Sequence, residues 1–124
     1  MEFSFGSDPE FCITDRNGQY KSAIGIIQGH TENRIYIKGH EFYYDNVLAE
    51  CAIKPSRSKE EVIANFKECL QLYAEMAHPF RLVAQAAQNY DRSELQHADA
   101  KKVACDPEHC PYEMCQAKSP VDEI

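Results

Sequence analysis

Residues 58–79 read SKEEVIANFKECLQLYAEMAHP, and this stretch decides the fold class. Ser58 followed three residues later by Glu61 forms a capping box. The serine hydroxyl accepts from the Glu61 amide, and the Glu61 side chain reaches back to the amide of Ser58. Val62, Ile63, Phe66, Cys69, Leu70, Tyr73 and Met76 then recur at helical spacing along one face. Pro79 cannot continue a helix and pushes His78 towards extended geometry. The spacing predicts an amphipathic helix over residues 58–77, with Phe66, Leu70 and Tyr73 in the core.

Upstream of the helix the periodicity changes to two. Phe3 to Ile13 alternates apolar and polar residues on both sides of Pro9, as a strand broken at the proline would. Asn17-Gly18 between apolar runs is a hairpin signal, since both residues tolerate positive φ. Ile35, Ile37, Phe42, Tyr44, Val47 and Ala49 fit a half-buried pleated surface, interrupted at Lys38-Gly39-His40. Tyr43 to Ile53 reads as one central strand ending at Lys54-Pro55. Residues 80–90 fit either helix or strand, and the preceding proline favours strand. The expected fold is α+β: an antiparallel or mixed sheet with the 58–77 helix on one face. Residues 1–118 form a single domain in this reading, and 119–124 a polar tail.

Composition narrows the function. The 124 residues are 44% hydrophobic and 27% charged, enough for one core in one domain. No apolar run approaches the ~20 residues that span a bilayer, and Met1 to Phe5 has neither a basic nor an apolar leader region. The expectation is therefore no membrane association and a cytoplasmic location, that of the host cell if the chain is phage-encoded. Thirteen Lys and Arg stand against 20 Asp and Glu, a net charge of −7. Direct nucleic-acid binding is not expected without a basic footprint. The six cysteines read as reduced thiols, several of them small core residues. Cys105, His109, Cys110 and Cys115 offer zinc-ligand chemistry, but no Cys-x₂-Cys pair is among them. His30 and His40 read as loop histidines at the surface.

The acidic motifs carry the strongest chemistry. Asp8-Pro9-Glu10-Phe11-Cys12 returns as Asp106-Pro107-Glu108-His109-Cys110. Proline between two acids breaks a regular ladder, and acids two residues apart face one side of an extended segment. A single such copy is ordinarily a solvated turn; two copies in one chain weaken that reading without removing it, and the alternative is a carboxylate site for a hard cation such as Mg²⁺. In Asp45-Asn46-Val47-Leu48-Ala49-Glu50, a continuous strand places Asn46, Leu48 and Glu50 on one face. Glu50 then has apolar neighbours, where a carboxylate is costly unless paired or metal-bound.

Phe5-Gly6-Ser7-Asp8-Pro9-Glu10-Phe11 resembles the opening motif of the phage-type COOH–NH₂ ligases, or amidoligases. The resemblance continues through Ser22-Ala23-Ile24-Gly25, Gly29-His30-Thr31-Glu32-Asn33, Asp45 to Glu50, and Ile53-Lys54-Pro55-Ser56. It returns at Ala104-Cys105-Asp106-Pro107-Glu108, which is similar to the family's Gly-Cys-x-Pro-Asp motif with Ala104 for Gly and Glu108 for Asp. The resemblance implies a glutamine-synthetase-like fold and an activity that phosphorylates a carboxylate with ATP so that an amine attacks the acyl phosphate. It implies Mg²⁺ and ATP as cofactors, Glu10, Glu50 and Glu108 as metal-facing carboxylates, and Asp8, Asn46 and Asp106 as polar groups at the cofactor. The family's second half, opening with Gly-Gly-His-x-His, has no counterpart here. By resemblance the chain is the front half of a ligase, calling for a complementing subunit or a homo-oligomer. The alternatives are a non-catalytic protein that binds and inhibits a host protein, and a small zinc-stabilised module.

Overall fold

A computed structural model of the chain describes residues 3–85, 88–100 and 117–118. Five strands run β1 (Glu10–Thr14), β2 (Tyr20–Lys21), β3 (Ile35–Ile37), β4 (His40–Asp45) and β5 (Leu48–Ala52). The helix α1 (Lys59–Ala77) and β6 (Arg81–Val83) follow. The sheet order is β2-β1-β5-β4-β3, and β6 also pairs with β1. All these pairings are antiparallel. A short parallel pair joins β7 (Gln88–Asn89) to β8 (Ala117–Lys118). The α+β architecture, with its main helix on one face of an antiparallel sheet, is as the sequence predicts.

Local chemistry explains the turns. Asp15 caps the β1–β2 loop by accepting from the amides of Asn17 and Gln19, both at 2.9 Å. The β3–β4 hairpin turns on Lys38 and Gly39, at φ 52° and 87°, the paired positive values of a tight hairpin turn. Pro9 breaks the first strand as expected, yet the chain before it stays against the sheet. Phe5 and Ser56 exchange amide bonds at 2.7 and 2.9 Å, and Ile53 donates to the Ser7 carbonyl at 3.0 Å.

The Tyr43–Ile53 segment is not one strand. Asn46 takes φ 53°, a left-handed conformation that asparagine tolerates. The chain reverses there, so Tyr43 lies opposite Glu50 in the β4–β5 ladder. His40 also departs from its expected place in a surface loop. It opens β4 and is fully buried. Its Nδ1 accepts from the Lys54 amide at 2.9 Å, so in the neutral ring Nε2 carries the proton and donates to Glu68, 2.8 Å away.

Helix α1 starts as the capping box requires, with the Glu61 amide donating to the Ser58 hydroxyl at 3.1 Å. The return bond falls one residue earlier: Glu61 accepts from the Arg57 amide at 2.7 Å, not from Ser58. Cys69, Tyr73 and Ala77 are buried against Ile13, Ile27, Phe42, Ala49, Cys51 and Ile53. Phe66 packs on the rim of this core, and Leu70 is half-buried. Val62 and Ile63 are exposed, so the first turns of the apolar stripe do not enter the core. Cys12, Cys51 and Cys69 are free buried thiols.

Gly29 marks the closest approach between loop and sheet. A Cβ there would run into the Phe42 carbonyl oxygen and lie 3.0 Å from the Ile35 nitrogen, both backbone atoms. The Gly29 carbonyl meanwhile accepts from the Tyr44 amide at 2.8 Å. Gly29→Ala is expected to destabilise the fold by about 2–3 kcal/mol, as overpacking of a fixed backbone does. Urea unfolding of parent and variant measures this, and equal midpoints would show that the loop can withdraw.

Candidate functional site

The faces of the sheet have different chemistry. On the helix side lie Phe11, Phe42, Ala49 and Cys51. On the opposite side, β1 pairs Glu10 with Glu50 of β5, and β5 pairs Glu50 with Tyr43 of β4. A carboxylate, a second carboxylate and a phenol therefore stand in one row across three adjacent strands. Asp45 lies two residues beyond Tyr43 and shares its face. Glu10, Asp45 and Glu50 each present a carboxylate oxygen, and these oxygens lie within 4.8 Å of one another.

Glu50 is the most constrained of the three. It is only 9% exposed, and the Tyr43 hydroxyl donates to its Oε2 in a short hydrogen bond. Burial pushes its carboxyl up to about 7, with the Glu10 hydrogen bond and the charges of Glu10 and Asp8 acting in the same direction. The Tyr43 bond opposes that rise. Burial and the neighbouring carboxylate push the Tyr43 hydroxyl well above the usual phenol range. Tyr43 is thus a neutral donor throughout the physiological range.

The row is backed from both sides. The Tyr73 hydroxyl of α1 lies 3.0 Å from the Tyr43 carbonyl and 2.9 Å from the Glu50 carbonyl. On the side away from the helix, the Arg34 guanidinium lies 3.9 Å from the centre of the Tyr43 ring. Its Nε donates to the Thr31 carbonyl and its Nη1 to Glu41, each at 3.1 Å.

The residues named from the sequence fare differently. Glu10 and Glu50 come together. Asp8 is exposed, and its charge acts on Glu50 and Tyr43. Asn46 does not join the site: its amide donates to the Ala100 carbonyl at 3.2 Å. The reversal at Asn46 turns it away and brings Asp45 in. Asp45 was legible only through that turn, because an unbroken strand places it on the face opposite Glu50. Asp106, Glu108 and the Cys105, His109, Cys110 and Cys115 cluster lie outside the described residues.

Three clustered carboxylate oxygens and a neutral phenol donor form a hard, oxygen-rich set. Such a set suits a divalent cation that keeps some of its waters. Burial and the neighbouring acids favour the protonated form of Glu50 in the absence of a cation. No family model matches the chain, and no curated protein or solved structure is significantly similar to it.

The Glu50 shift has a defined sign. Its carboxyl holds a proton to about pH 7 in the folded protein and only to its ordinary value of 4.5 when unfolded. Between these values the folded state binds the extra proton, so stability falls as pH rises. Glu50→Gln keeps an acceptor for Tyr43 and removes the charge. The variant is expected to be about 2–3 kcal/mol more stable than the parent at pH 8, with little difference at pH 4. Denaturant titrations at both values check this, and a variant weaker than the parent at pH 8 would overturn it.

Proposed function

We propose that the Glu10–Asp45–Glu50 face binds Mg²⁺ and is the metal-bearing half of an ATP-dependent carboxylate–amine ligase site. One observation carries the reading. Glu10, from the Asp-Pro-Glu motif, and Glu50, from the Asp45–Glu50 motif, are far apart in sequence and pair directly in the sheet. Both motifs are among those that carry the amidoligase resemblance, and Asp45 of the second motif completes the cluster.

In this reading Glu10, Asp45 and Glu50 hold the cation, and Tyr43 fixes one Glu50 oxygen by its hydrogen bond. The cation supplies charge neutralisation for the phosphoryl group moved from ATP to a carboxylate. Tyr73 keeps the backbone under Tyr43 and Glu50 from shifting. No described helix is long and apolar enough to cross a membrane. The amine and carboxylate substrates would be met with a complementing subunit or second copy.

Mg²⁺ that binds only the folded chain stabilises it by about 2.7 kcal/mol at a hundred times its dissociation constant. A saturable rise in melting temperature with MgCl₂ at pH 7.5 is expected, absent in Glu10→Gln and Glu50→Gln. NaCl of equal ionic strength should not reproduce it. An equal rise in the parent and both variants would remove the metal assignment.

A specific observation also favours a role in protein binding, either to a second copy or to a host protein. Phe3, Phe5, Val62 and Ile63 are exposed, and Phe5 and Val62 line one groove with Phe66. Apolar side chains gathered this way mark an interaction surface. If this patch is an interface between copies, Phe5→Ser with Val62→Ser should shift the sedimentation coefficient to that of a monomer. A parent that already sediments as a monomer would leave only the host-protein form of this reading.

A further inference from the structure

Two thiols from different elements meet in the core behind the sheet. Cys51 follows Glu50 on β5, so its side chain takes the opposite face and points to the helix. Cys69 lies on α1, one turn before Tyr73 and on the same side of the helix. The Tyr73 hydroxyl reaches the Glu50 carbonyl at 2.9 Å, one residue from Cys51. Helix geometry therefore carries Cys69 to the neighbourhood of Cys51. Both residues are 0% exposed, and they pack in one cluster with Phe42 and Ile53. Their thiols hydrogen-bond to each other, and the Cys51 sulfur also lies 3.9 Å from the Pro9 carbonyl oxygen.

A single buried cysteine is an ordinary small core residue. Two in contact have one chemistry besides packing, which is oxidation to a disulfide. The sulfurs have only to close from hydrogen-bonding contact to a bond of about 2 Å. Cys12, the third buried thiol, belongs to the other cluster and has the Tyr90 hydroxyl for its neighbour. It serves as an internal reference for burial without a facing thiol.

We propose that Cys51 and Cys69 are a dithiol that hydrogen peroxide converts to a disulfide, fastening α1 to β5 directly behind Glu50. One thiol takes an oxygen atom as the O–O bond breaks, giving a sulfenic acid and one water. The second sulfur then displaces the hydroxyl. The S–S bond forms, and the hydroxide leaves with the second thiol's proton as another water. Two thiols are oxidised and one peroxide is reduced to two waters. The link ties the end of the sheet to the middle of the helix and restricts the unfolded chain. It also fixes the stretch of α1 that carries Tyr73, whose hydroxyl holds the carbonyls of Tyr43 and Glu50. The inference does not depend on a cation at the acidic face.

The test treats the folded full chain with hydrogen peroxide, alkylates the remaining thiols under denaturing conditions, and maps tryptic peptides by mass. Arg57, Lys59 and Lys67 separate the two cysteines, so a link between them joins two distinct peptides. The Cys51–Cys69 peptide is expected as the main linked product, with Cys12 recovered alkylated. The same treatment in urea should scatter links among the six cysteines. The linked protein should melt roughly 10 °C higher than the reduced one, and dithiothreitol should return it to the starting value. Cys69→Ala should show neither the link nor the rise; the parent's peptide map and melting decide alone if that variant does not fold. Cys51 and Cys69 recovered as alkylated thiols, or as sulfinic acids, from folded parent would overturn the proposal. So would a linked protein that melts no higher than the reduced one.

Discussion

A carboxylate on the central strand of a sheet must be reconciled with its burial, and much of this molecule is arranged around that requirement at Glu50. Tyr43 donates to one oxygen from the neighbouring strand. Glu10 approaches from the other neighbour. Tyr73 reaches through from the helix to the carbonyls beneath both Tyr43 and Glu50. The arrangement does not neutralise Glu50 with an ion pair. It surrounds the carboxyl with one neutral donor and further acids, which raises its proton affinity. Such a site is less stable than an apolar one of the same shape, and strain of this kind is characteristic of places where a ligand completes the chemistry.

The helix and the core behind the sheet rest on more conventional terms. Tyr73 and Cys69 enter the core from successive turns, while Phe42 meets Tyr73 edge-on with ring centres 4.9 Å apart. His40 ties the start of β4 to both Lys54 and Glu68, and its bond to Glu68 draws that carboxyl below its usual range. The second small cluster, Cys12, Val47, Leu48, Tyr90, Leu95 and Ala100, covers the other end of the sheet. Among the described residues, it leaves the Tyr90 hydroxyl buried without a hydrogen-bond partner of ordinary geometry. The thiol of Cys12 is its neighbour, and burial raises that thiol above the usual range.

Much of this was readable from residue order. The capping serine, the 3.6-residue stripe and Pro79 defined the helix, because each acts within a few residues of itself. The Asn17-Gly18 turn and the break at Pro9 are equally local. Glu50 was readable because an acid among apolar neighbours is costly wherever it falls, and Glu10 because its Asp-Pro-Glu motif recurs. The reversal at Asn46 was not readable, since Asp-Asn-Val fits an unbroken strand as well as a tight turn. That one conformational choice hid Asp45 and misassigned Asn46. The burial of His40 and the exposure of Val62 and Ile63 depend on which elements meet in space, and no local pattern carries that information.

The pairing of Tyr43 with Glu50 has one further consequence for how the chain finds its fold. In a strand of period two, sliding β5 by one residue exchanges every side chain between faces. Such a slip would put Glu50 among Phe42, Tyr73 and Cys69, and Cys51 beside Glu10 and Asp45. The carboxylate would lose Tyr43 and meet an apolar core, while the acidic cluster would lose its central member. The same residue thus penalises the wrong alignment from both sides of the sheet. Residues gathered for chemistry on one face act as a proofreading device for the register of the other.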